Sequence, residues 1–299
     1  TALVGKCHCG PETTGAHWAM APVERGYDHW LAGTRLNLVS YDAWQRVDAS
    51  ATGFTVTEDE SQYPTRAQLE AATDWWTDNL SCSKAFLHVA LNAPHAPFHA
   101  PPTSLLDGWP QPGIGASNRT KYLAMLRSAD TAFGQLLDHV GEDVAIFLYS
   151  DNGTSPRALA PGGDETHAKE TTFDGGIRVL GLGRWNNCPV GETSGLQHIQ
   201  DTAAGILTVA GISSPSAWDA KVTPRSYVLS EAELSSGVID RAARTATHKL
   251  RQLTIESEVF EELYDLVADE NEVVPLDLFA EENQAALSYL RSKLAFAEL

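Results

Sequence analysis

The chain has 299 residues, 43% of them hydrophobic, with eight Trp, eight Tyr and nine Phe, enough apolar mass for a sizeable core. Its 39 acidic residues against 21 basic give a net charge of −18, which argues against nucleic acid or an anionic membrane as partner, because phosphate surfaces call for clustered Lys and Arg. No apolar run approaches the length of a membrane span. Four cysteines are too sparse for a disulfide scaffold, and Cys7 and Cys9 stand too close in sequence to pair comfortably with each other.

The chain opens Thr-Ala-Leu-Val-Gly-Lys, apolar and strand-like, with no initiator Met and no basic signal region, as though entered in mid-domain. Residues 66–79 place Leu69, Ala72, Trp75 and Trp76 at helical spacing. A compact β-type run, Ala85–Leu91, then ends in Asn92-Ala93-Pro94-His95. Over 119–140, Tyr122, Met125, Leu126, Ala129, Phe133, Leu136 and Leu137 make one helical stripe. Val144–Tyr149 reads as a buried strand stopping at Ser150-Asp151-Asn152-Gly153. Residues 197–211 predict an amphipathic helix ending on Gly211. Beyond residue 222 the texture changes to strands at 226–230 and 245–255, with a closing helix near 280–297. Helix followed by continuously apolar strand points to an α/β layer with a largely parallel sheet over 1–222, and a small antiparallel C-terminal subdomain over 223–299.

Four segments offer chemistry. Asp151 and Asn152, at a strand end, present a carboxylate and an amide oxygen, both hard ligands for Ca²⁺ or Mg²⁺; the plainer reading is a tight hairpin turn. His95, held between Pro94 and Pro97, suits an anion donor or a general acid, against a surface His in a stiff loop; His99 reads as incidental. Alternation puts Lys6 and His8 on one side of an extended segment, where both could meet one anion, although an ordinary strand end explains them equally. Lys169 precedes an Asp-Gly-Gly turn and a short strand at Ile177–Leu182, and alone reads as a solvated lysine.

Taken in order, these segments resemble the sulfatase family of the alkaline phosphatase superfamily. Residues 5–10, GKCHCG, match its Gly-Lys-Trp-His-Leu-Gly motif, with Cys7 for Trp and Cys9 for Leu. Arg25-Gly26-Tyr27-Asp28, then Gly33, Asn92–Pro97, FLYSDNG, Lys169–Val179, Arg184-Trp185 and Ala210-Gly211-Ile212 follow the family pattern, as do Glu262–Leu266 with Asp269 and Glu272 near the end. The resemblance implies an alkaline-phosphatase-like sheet flanked by helices with a small C-terminal α+β subdomain. It also implies sulfate-ester hydrolysis of a small sulfated substrate, a periplasmic or secreted location, and a divalent cation, usually calcium, on Asp151 and Asn152. Lys6, His8, His95 and Lys169 would surround the ester. Phosphonate or phosphate monoester hydrolysis and a catalytically silent binding or scaffold module are the alternatives.

Two family elements lie upstream of the Gly-Lys motif: a consecutive Asp-Asp pair that completes the metal site, and the Cys/Ser-x-Pro-x-Arg segment whose Cys or Ser becomes the formylglycine nucleophile. This sequence contains neither. Cys9-Gly10-Pro11-Glu12-Thr13 has Thr13 where the Arg is required, so Cys9 is not the nucleophile. The expectation is therefore a fragment, a chain complemented by an N-terminal segment or partner, or a silent remnant. Residues 255–282 hold eleven carboxylates and no Lys or Arg, which reads as a solvated acidic face. The tryptophans read as core and pocket wall; Trp18, Trp30 and Trp44 would suit an aryl or sugar substrate.

Overall fold

The computed structural model describes residues 1–8, 17–82, 84–235 and 237–296. Cys9, Gly10 and the Cys-x-Pro segment after them lie outside the described residues. The chain divides into two compact units, Thr1–Glu142 and Asp143–Leu299.

In the first unit the elements run β1 (Ala2–Cys7), α1 (His17–Glu24), β2 (His29–Arg35), β3 (Trp44–Ser50), β4 (Gly53–Glu60), α2 (Pro64–Asp78), β5 (Leu87–Ala90) and α3 (Asn118–Val140). The strands form one sheet in the order β4-β3-β2-β1-β5. Strand β1 is parallel to both neighbours, whereas β2-β3 and β3-β4 are antiparallel. The sheet is thus mixed, where hydrophobic texture alone predicts a largely parallel one: burial sets which residues are apolar, not which way the next strand runs.

Four of the first four residues after Thr1 in β1 are buried, as a central strand demands, and successive side chains serve opposite faces. Leu3 joins Ala19, Trp30, Val47 and Ala49 on the α1 face. Val4 joins Ala32, Trp44, Ala67 and Ala72 on the α2 face. Trp30 and Trp44 are buried in these two clusters, so they wall no substrate pocket. Trp30 donates from its indole to the carbonyl of Gly5 at 2.8 Å. Ser117 caps α3 by accepting from the Thr120 amide at 3.2 Å, which satisfies one of the orphan donors of that helix.

The second unit runs β6 (Ile146–Tyr149), α4 (Asp174–Ile177), β7 (Gly181–Arg184), α5 (Asp201–Val209), β8 (Val228–Ser235), β9 (Val238–Arg244), β10 (His248–Ile255), β11 (Glu258–Asp265) and α6 (Gln284–Phe296). Strands β6 and β7 form an antiparallel pair. The expected strand at Ile177–Leu182 is displaced: the Asp-Gly-Gly stretch makes one helical turn, and pairing begins only at Gly181. Strands β8–β11 make a four-stranded antiparallel meander, twice the strands expected there. Its core is Ala243, Leu250 and Leu263 under Leu287, Leu290 and Leu294 of α6.

The acidic stretch is not uniformly solvated. Glu272 is buried, and Glu261 and Glu262 pair with Arg291 and Arg251. Cys82 and Cys188 are free thiols. Cys7 is disulfide-bonded. Among the described residues no helix is long and apolar enough to cross a membrane.

Candidate active site

Lys6 and His95 belong to the first unit and arise at one end of its sheet. Strands β1 and β5 are parallel neighbours, with Gly5 opposite Ala90, so Lys6 and the loop from Leu91 leave the same edge side by side. Gly5 is required here. It has φ +90°, and a Cβ would sit 2.2 Å from the Ala90 carbonyl oxygen. The register of β1 against β2 shifts between Val4 and Lys6, and Lys6 Nζ then donates to Asn37 Oδ1 at 2.8 Å. His8 follows β1 and is exposed.

The loop that carries His95 is braced at several points. Buried Asn92 accepts from Thr34 Oγ1 at 3.0 Å and from Gln68 Nε2 at 2.6 Å. Tyr41 Oη lies 2.9 Å from the carbonyls of both Asn92 and His95 and donates across them. The ring of His99 packs 4.3 Å from that of Tyr41. Its Nδ1 donates to the Pro97 carbonyl at 2.8 Å, Tyr63 Oη donates to its Nε2 at 3.0 Å, and burial holds its pKa below the ordinary range. His99 is therefore a neutral brace rather than incidental. His95 Nδ1 donates to the Ala96 carbonyl at 2.9 Å, which fixes the tautomer; Nε2 is then basic in the neutral ring and a donor in the imidazolium.

Asp151, Asn152 and Lys169 belong to the second unit, and backbone bonds tie their two loops together. The Gly153 amide donates to Gly176 O at 2.8 Å, and the Lys169 amide donates to Thr154 O at 3.0 Å. These bonds exclude the plain hairpin reading of Asn152-Gly153, since the turn packs on the 169–176 loop rather than linking paired strands. Ser150 Oγ donates to the Asn152 carbonyl at 2.8 Å, and Asn152 Nδ2 donates to Gly153 O at 3.0 Å. The Asp151 carboxylate is exposed and has no hydrogen-bond partner among the described residues. Both side chains are hard oxygen donors, so their chemistry suits calcium, but a calcium ion takes six to eight oxygens. Among the described residues no three His, Cys, Asp or Glu side chains form a metal-binding group.

Of the bracing residues, Asn92 opens the family segment Asn92–Pro97, whereas Asn37, Tyr41, Gln68 and His99 were not legible as site residues. A polar residue beside a strand end gives no sign in sequence that its partner lies 24 to 58 positions away.

The sulfatase family profile matches residues 1–212. The chain belongs to the sulfatase family. Solved sulfatase-fold structures agree over nearly its whole length. Ps i-CgsB, crystallised with k-i-k-neocarrahexaose, superposes with a TM-score of 0.77 at 20% identity, covering 99% of this chain and 70% of that one. The PsFucS1 sulfatase from Pseudoalteromonas sp. gives 0.72 at 16% identity, covering 98% and 70%. BT4656, crystallised with its substrate D-glucosamine-2-N,6-O-disulfate, gives 0.65 at 14% identity, covering 99% and 78%. No curated protein matches this sulfatase-family chain in sequence.

Proposed function

We propose that this chain serves a sulfuric ester hydrolase in which Lys6, His8, His95 and Lys169 bind the sulfate ester and Asp151 and Asn152 ligate a divalent cation, calcium by family habit. The observation that carries the reading is the pairing of family membership with placement: Lys6 and His95 emerge together at the ends of parallel β1 and β5, and Lys169 is hydrogen-bonded through its backbone to the Asp151–Thr154 turn. Ligands of α/β sheets gather at such strand ends.

The chemistry suits these side chains. Cleavage of a sulfate ester concentrates negative charge on the sulfuryl oxygens, and preorganised cationic donors stabilise it. The two lysine ammonium groups supply that charge. His95, with Nδ1 committed to the Ala96 carbonyl, presents Nε2 as the nitrogen that protonates a leaving alcohol. A bound calcium would add Lewis-acid polarisation of a sulfuryl oxygen. Further ligands and the formylglycine nucleophile would come from a complementing N-terminal segment or chain. The carbohydrate ligands named for Ps i-CgsB and BT4656 support a sulfated sugar as the substrate.

The test is sulfate release from an aryl sulfate and from a sulfated sugar by the protein isolated from its source, with a phosphate monoester as comparator. His95→Ala and Lys169→Ala should each lower kcat at least about a hundredfold while leaving the melting midpoint in place. Activity equal to the unmutated protein in either variant would overturn the assignment.

A further inference from the structure

The 172–174 stretch, between Lys169 and Gly176, is held from below by charged side chains of the C-terminal meander. Asp240, fully buried on β9, accepts from the Thr172 amide at 2.9 Å and from Thr172 Oγ1 at 2.8 Å. Arg251 donates to the same carboxylate at 2.8 Å, and its guanidinium lies 4.3 Å over the ring of Phe173. Glu272 Oε2 accepts from the Asp174 amide at 2.5 Å. Lys249, fully buried on β10, reaches Asp174 Oδ1 at 2.9 Å and lies 2.7 Å from Glu272 Oε1, an ion-pair contact outside hydrogen-bond alignment. Arg244 adds a two-point contact to Asp174 at 3.2 and 3.3 Å. Burial works to raise the Asp174 carboxyl, yet Lys249 and Arg244 outweigh it and hold the group below the usual carboxylate range.

A stretch of three residues therefore engages four buried ionic side chains, Asp240, Lys249, Arg251 and Glu272, two of them through its backbone amides. Burying Lys249, Asp240 and Glu272 is costly, and apolar residues would stabilise a fold as well or better. What these groups give that apolar packing does not is a fixed backbone position, because each amide is bonded to one oxygen at one distance. The fixed stretch in turn carries the Gly176 carbonyl that receives Gly153 and closes the loop whose Lys169 amide binds Thr154.

We propose that the C-terminal antiparallel sheet is a positioning part of the sulfate-ester site, with Asp240, Lys249 and Glu272 latching Thr172–Asp174 and so fixing Lys169 and the Asp151–Asn152 turn. The functional half of this statement rests on the sulfatase reading above; the mechanical half does not. Displacement of a catalytic group by about 1 Å costs up to a hundredfold in rate, so the latch acts on kcat.

The experiment compares Thr172→Val and Glu272→Gln, which keep side-chain size, with Leu290→Ala, which weakens the same sheet through its α6 core without touching the latch. Amide hydrogen exchange is read on the source protein well below its melting midpoint, at Lys169, Gly153 and Gly176, together with kcat and KM. The expected result is exchange at least about tenfold faster at Lys169 and Gly153 in the two latch variants, unchanged exchange along β9 and β10, and a fall in kcat larger than any change in KM. Leu290→Ala should leave those amides and kcat as they were. Unaltered exchange in both latch variants, or an equal rise in Leu290→Ala, would overturn the proposal. If the unmutated protein hydrolyses no sulfate ester, the functional reading fails while the exchange result still decides whether the latch exists.

Discussion

Gly153→Ala is the sharpest test of how the turn bearing Asp151 and Asn152 is held. A Cβ on residue 153 would lie 1.9 Å from the Gly175 carbonyl oxygen, 2.8 Å from its carbon and 3.0 Å from Gly176 Cα. All three are backbone atoms, so no side chain can rotate away; the two loops must separate by about 1 Å or more to restore ordinary contact. Separation breaks the 2.8 Å bond from Gly153 to Gly176, worth about 1 kcal/mol, and overpacking adds about 1–3 kcal/mol. The expected loss is about 2–4 kcal/mol, read as a lower urea midpoint at unchanged m-value. Gly134→Ala is the matched control. It sits inside α3 with no atom within 4 Å of the added methyl, and should gain about 0.5–1 kcal/mol from reduced backbone freedom. A Gly153→Ala protein as stable as the parent would refute the close approach of the 150–154 and 169–176 loops, and with it the coupling of Lys169 to the turn.

Three further outcomes follow from other parts of the molecule. Leu290→Ala should cost about 2–5 kcal/mol, since Leu290 is fully buried against Leu250 and Leu263; a loss under 1 kcal/mol in denaturant titration would mean that α6 does not cover the meander as described. Burial works to raise the Asp201 carboxyl, but bonds from Arg225, the His198 amide and the Lys221 amide push it down to about 2 from the usual 3.8. Its contribution, at most about 2 kcal/mol, is therefore complete above about pH 4 and lost as the pH falls toward 2; Asp201→Asn should flatten that part of the acid-stability curve, and an unchanged curve would contradict the assignment. Calcium at micromolar concentration should leave the melting midpoint of residues 1–299 alone nearly unmoved, because Asp151 and Asn152 supply only two oxygens; a clear upward shift would reveal further ligands.

Much of the fold could be read from periodicity. The stripe over 119–140 is α3 to within a residue at its start, and the runs ending at Leu91 and Tyr149 contain β5 and β6. Strand direction was not legible, because Trp44–Ser50 and Gly53–Glu60 carry the same alternation whether they pair parallel or antiparallel. Ile177 fell on the wrong element because two glycines after Asp174 permit a helical turn as readily as a strand entry. In the candidate site, Lys6, His95, Asp151 and Lys169 stood out through motif order, and the structure ties them by strand pairing or backbone bonds within their own units. Their supports did not, apart from Glu272, which followed the family pattern without a role of its own. Asp240, Lys249 and Glu272 are charged residues, whose default place is the surface, and only tertiary pairing across 68 to 98 positions explains their burial.

Strand β4 is one of the two edge strands of the five-stranded sheet, and its sequence GFTVTEDE ends in three consecutive carboxylates. Its backbone groups on the side away from β3 would otherwise offer a template on which another copy could add a strand. Glu58 and Asp59 are exposed there and Glu60 is half-buried beside Arg46, so two such edges brought together would set like charges against one another. The same carboxylates that enlarge the net charge therefore guard against edge-to-edge aggregation, a protection that weakens as salt shortens the reach of the repulsion.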